Sequence, residues 1–81
     1  MSVQMEQNFK PFEIAAIAEA RLSASSHQAL RKVFCRYDDG VLILLGRLSS
    51  FFHAQLAQET VARIEGVERV VNKIEIVDRP I

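Results

Sequence analysis

Cysteine occurs once in the 81 residues, tryptophan not at all, proline twice and glycine three times. A single thiol excludes an intrachain disulfide framework and leaves the redox compartment open. So few glycines give no phosphate-cradling loop, because Gly40 and Gly46 are separated by residues of strand character. A dominant charge is lacking too: ten basic residues balance ten acidic ones, so no overall field marks a nucleic-acid binder. No apolar run approaches the roughly 20 residues a membrane-spanning helix needs. As written, the N-terminus has no basic segment followed by an apolar run and a small-residue cleavage site. The expectation is therefore a chain without a signal peptide.

What is present is ordinary globular material, 49% hydrophobic and 25% charged, enough for one small domain. Residues 1–10 show no hydrophobic period and read as a mobile tail. Residues 11–78 read as the single domain, and residues 79–81 as a C-terminal tail.

The stretch Val33 to Gly46 organises the rest. Two runs of β-branched, aromatic and aliphatic residues flank Asp38-Asp39-Gly40, and Asp-Gly is a strong hairpin signal. The first strand is expected from about Leu30 to Asp38, with Val33, Cys35 and Tyr37 on one face and Lys32, Phe34 and Arg36 on the other. After the turn, Leu42, Leu44 and Leu48 share the first face, and Val41, Ile43, Leu45 and Arg47 the second. Gly46 interrupts this strand, as glycine does at a bulge or where another backbone approaches closely.

Before the hairpin, Pro11 suits a first helical turn. Ile14, Ile17, Ala18 and Leu22 then recur at helical spacing, with Glu13, Glu19 and Arg21 facing water. The spacing predicts a helix over 11–24. After the hairpin, Ser49-Ser50 supplies N-cap chemistry for a second helix over 51–65, with His53, Ala57, Val61 and Ile64 as its buried stripe. Gly66 stands where a left-handed C-cap would close it. Residues 67–77 read as a third strand, with Val70, Asn72, Ile74 and Ile76 inward and Val71, Lys73, Glu75 and Val77 outward. The fold class is α+β: a two-layer αββαβ sandwich, its three-stranded mixed sheet carrying two helices on one face. Strands two and three, joined through a helix, should run parallel.

Nucleophilic and metal chemistry find little support. Cys35 faces inward as a small core residue, and His53 lies on the buried stripe. No His, Cys, Asp or Glu group has metal-site spacing, and Asp38-Asp39 reads as a turn with solvated carboxylates. Neither a cofactor, nor a small-molecule substrate, nor enzymatic activity is expected. A base-stacking sheet would present Phe34 alone, since Tyr37 points to the opposite face, so nucleic acid is not an expected partner.

The ordered set Val33, Cys35, Gly40, Leu42, Leu44, Gly46, Ser49 or Ser50, Gly66, Val67, Val70, Asn72, Ile74 and Ile76 resembles the BON domain. That module occurs in bacterial osmotic-shock and nodulation-related envelope proteins. The resemblance runs from about Val33 to Val77, with the helix from Pro11 as the first element. It implies the αββαβ fold, no catalytic activity, architectural roles for Gly40, Gly46 and Gly66, and binding to phospholipid or to envelope partners. It also implies a periplasmic or envelope location, while the expected lack of a signal peptide leaves the cytoplasm open.

One feature of the residues gives this reading a place to act. The uncovered face of a two-layer sandwich should be polar. Here Phe34, Val41, Ile43, Leu45, Val71 and Val77 point that way, beside Lys32, Arg36, Arg47 and Lys73. Three explanations stand: a slipped register at Gly46 or a cover by the tail with Phe9 and Phe12; a homodimer through the face; or contact with an anionic membrane surface. Phe51 and Phe52 are about 100° apart on a helix, so one is expected to pack and the other to lie near the surface. The candidate binding residues are Phe34, Arg36, Ile43, Leu45 and Arg47, with Phe51 and Phe52 at the edge.

Overall fold

The computed structural model describes residues 10–77. The expected tails, Phe9 among them, lie outside that range apart from Lys10. Helix α1 spans Pro11–Ala24, with proline in its first turn and the Glu13 carboxylate accepting the Lys10 backbone N–H at 2.9 Å. Ile14, Ala18 and Leu22 are buried, as their spacing predicts, while Ile17 is half-buried.

Residues 28–32, read in part as strand, form a 3-10 turn (Gln28–Lys32) that buries Leu30 completely. Alternation alone cannot tell one anchored leucine in a turn from the first inward residue of a strand. Strand β1 therefore begins at Phe34 and runs to Asp38, and Lys32 owes its exposure to the turn rather than to strand parity.

The hairpin follows expectation. Strand β2 is Val41–Leu45, antiparallel to β1, with Asp38 opposite Val41 and Phe34 opposite Leu45. Asp39 and Gly40 both have positive φ, 49° and 86°, the requirement of a two-residue type I′ turn. Gly46 breaks the strand, and β3 (Arg47–Leu48) resumes beyond it. At Gly46 φ is 140°, and an added Cβ would stand 2.8 Å from the Lys32 carbonyl oxygen, the close backbone approach its position implied.

Helix α2 covers Phe51–Val61, four residues shorter than expected. Ser50 caps it, its Oγ accepting the His53 N–H at 3.3 Å. Its buried stripe is Ala54, Ala57 and Val61, continued by Ile64 in the following turn, so the stripe starts at Ala54 and His53 is only half-buried. Alanine lets the helix approach its neighbours where an imidazole would hold it off. The helix is over before Ile64, and the helical spacing of that residue had stretched the expected end. Gly66, with φ 95°, serves a separate turn in which the Val67 N–H returns to the Ile64 carbonyl.

The last strand is split as well, into β4 (Arg69–Asn72) and β5 (Glu75–Ile76). Strand β4 runs parallel to β2, and β5 continues parallel to β3 in the same register, from Val41–Arg69 to Leu48–Ile76. Sheet order is β1-β2-β4. Both helices pack on one face, and their buried residues join Val33, Cys35, Leu42, Leu44 and Leu48 in a single core. The αββαβ sandwich is thus the observed fold.

Three side-chain bonds to backbone tie the layers. Glu19, expected to face water, is half-buried and accepts the Cys35 N–H at 2.9 Å. Tyr37 Oη donates to the Gly66 carbonyl. Asn72 Nδ2 donates to the Ala54 carbonyl at 2.9 Å, and its Oδ1 accepts the Ile74 N–H at 3.1 Å. Asn72 thus spans the break between β4 and β5 and fixes it to α2.

Candidate functional site

The outer face of the sheet is built by strand parity. Inward residues of β1 and β2 (Cys35, Leu42 and Leu44) are buried, and the residues between them point away from the helices. Pairing sets Ile43 at the centre, with Arg36 opposite it on β1 and Val71 opposite it on β4. Phe34 and Leu45 form the adjacent pair, and Phe34 is 62% exposed. Val41, Ile43, Leu45 and Val71 are half-buried, and no helix among the described residues covers them. The observed alternation removes a register slip at Gly46 as the source of this patch. Phe12, 68% exposed at the start of α1, does not cover it either.

Arg36, Arg47 and Lys73 are exposed around the apolar centre. Arg36, Ile43, Leu45 and Lys73 line a shallow depression of about 440 Å³. Arg47 is engaged by Glu75, its partner across the parallel pair, at 3.1 Å. Both groups are well exposed, so the pair adds little to stability. Arg69, paired with Val41, joins the basic rim by the same parity. Sequence reasoning missed it, although two-residue counting back from Val71 would have found it. Among the described residues Asp38 and Glu75 are the carboxylates of this face, and the cations outnumber them.

Phe51 and Phe52 are not brought onto the sheet face. Both belong to the helix layer and both are exposed, 71% and 61%, so the expectation that one packs is corrected. Ser50 starts the helix with Ala54 turned inward, which leaves positions 51 and 52 on flanks the core does not reach. Phe51 borders an open groove of about 430 Å³ between α2 and β4–β5, with Gln58, Ile74 and Ile76. Ile76, expected inward, is 41% exposed there because no helix among the described residues packs over that end of the sheet. Phe52 meets His27 and His53 edge-on.

Nucleophilic chemistry finds no support in the thiol. Burial, and secondarily the Glu19 carboxylate, push the Cys35 thiol up to about 12, so the thiolate that would react is scarce. Among the described residues no group of three or more His, Cys, Asp or Glu side chains is placed to hold a metal ion. Among the same residues no helix is long and apolar enough to cross a membrane.

Among curated proteins, none matches this chain. Family comparison is decisive: residues 12–78 match the BON domain. The match takes in α1, the hairpin, α2 and the split last strand, so the chain belongs to the BON domain family, a family of non-catalytic modules that bind lipid, membrane surfaces or other proteins.

Proposed function

We propose that this protein binds anionic phospholipid surfaces, or an envelope partner presenting similar chemistry, through the outer face of its sheet. The observation that carries the reading is the apolar centre of Phe34, Ile43, Leu45 and Val71 ringed by Arg36, Arg69 and Lys73. Apolar side chains enter the interfacial region while cations meet phosphates, each worth about 1 kcal/mol near an anionic leaflet. Flotation with phosphatidylglycerol vesicles tests it. Wild type floats at low salt, and Ile43→Asp stays behind while its circular dichroism remains native. Absence of flotation by a monomeric wild type would sink the reading.

A homodimer through the same face is the second reading. Asp38 and Glu75 lie on that face beside Arg36 and Lys73, so a twofold copy offers each sign a partner. Sedimentation equilibrium separates the two: a concentration-dependent dimer favours self-association, and a strict monomer leaves the vesicle.

A further inference from the structure

Neither the sheet face nor the core uses His27 and His53. His27 immediately precedes the 3-10 turn, and its carbonyl accepts the Leu30 N–H at 3.0 Å. His53 lies in the first turn of α2. Both backbones are held by serines: the His27 N–H donates to Ser25 Oγ at 3.1 Å, and the His53 N–H to Ser50 Oγ at 3.3 Å. Leu30, fully buried, anchors the turn that follows His27. Two imidazoles thus issue from fixed points on separate elements.

Their ring centroids are 5.5 Å apart with the planes at 60°. Two imidazoles bound to one tetrahedral ion through bonds of about 2.0–2.1 Å have centroids about 5 Å apart, close to the separation observed here. Among the described residues neither ring makes a hydrogen bond, so its nitrogens are uncommitted. Phe52 stands against both rings, at 6.0 and 5.3 Å, and supplies an apolar flank of the kind that limits water around a metal.

We infer that His27 and His53 form a two-nitrogen site for a borderline transition-metal dication, Zn²⁺ or its neighbours in the series, for which imidazole is the suited ligand. No third His, Cys, Asp or Glu side chain joins them among the described residues, so the remaining positions on the ion are open to water or to an outside ligand. Prior fixation of the two donors gives the site its affinity, since the second nitrogen binds at high effective concentration once the first has bound. This site is independent of the sheet face and of whatever that face binds.

The experiment is calorimetric titration of the metal-stripped full chain with Zn²⁺ at neutral pH, for wild type, His27→Gln and His53→Gln. Wild type takes up one ion, and each substitution weakens binding by at least about tenfold. Zinc also raises the thermal midpoint of the wild type and leaves both variants unmoved. Uptake that either substitution leaves at wild-type affinity, or no uptake at millimolar zinc, overturns the assignment. Should a variant fail to fold, the wild-type spectrum decides. Zinc must shift the ring resonances of both histidines together, and shifts elsewhere alone refute the site.

Discussion

Asn72 Nδ2 reaches across from the strand layer to donate to the Ala54 carbonyl at 2.9 Å, while Oδ1 of the same side chain accepts the Ile74 N–H. One amide thereby links a helix carbonyl to the Ile74 amide at the break between β4 and β5. A second donation, to Gln58 Oε1 at 3.1 Å, lies at the surface.

Asn72→Ala is expected to cost about 1–3 kcal/mol, the range for leaving a partly buried polar group, here the Ile74 N–H, without its partner. Asn72→Asp discriminates further. It keeps an acceptor for Ile74 but sets a carboxylate oxygen against the Ala54 carbonyl, so it should destabilise at least as much. Urea midpoints of the two variants check both statements.

Gly46→Ala should destabilise more than Gly40→Ala. Both glycines have positive φ, a region whose strain costs an L-residue on the order of 1–3 kcal/mol. A Cβ at Gly46 meets the Lys32 carbonyl at 2.8 Å, and backbone there cannot step aside cheaply. At Gly40 the obstacle is the end of the Glu68 side chain, which can swing away. Thermal unfolding of the pair tests the order, and equal losses would contradict it.

The Cys35 thiol, pushed up to about 12 from an ordinary 9.0, should resist alkylation in the native state and react readily in urea. The folded value lies above the unfolded one. Its contribution to stability is therefore fully present below about 9 and is lost as pH rises towards about 12. Unfolding midpoints measured across that alkaline window, with Cys35→Ala as the control that lacks the effect, give the check.

If the sheet face meets an anionic surface, Arg69→Glu should weaken vesicle binding as much as Arg36→Glu, since both flank the Ile43–Val71 centre. Arg47→Glu should behave differently because Arg47 is already engaged by Glu75. The charge change there also sets two carboxylates against each other, so Arg47→Gln is the cleaner variant, with an expected loss below about 1 kcal/mol. Binding isotherms at two salt concentrations measure these differences.

The hairpin was legible because its signals are local: Asp39-Gly40 makes the turn and parity assigns every residue of β1 and β2. The parallel placement of the last strand was legible from chain order alone. Errors cluster where two local patterns coincide. Leu30 fits a strand or an anchored turn, and Ile64 fits a helix face or the turn beyond it. The rotation of α2 from His53 to Ala54 depends on how closely the helix packs, which spacing does not encode. The apolar face was visible in the sequence, but Arg69 and the Arg47–Glu75 pair needed the register between β2–β3 and β4–β5.

Glu19 to Cys35, Tyr37 to Gly66 and Asn72 to Ala54 each join an element of the helical layer, or its turn, to a strand. Fastened at three separated points, the layers have little freedom to slide, and the outer face is expected to behave as a rigid plate. Docking on it would then cost little ordering entropy in the backbone, so affinity is governed by contact and charge alone. Backbone order parameters of β1 and β2 should be the same before and after a partner binds.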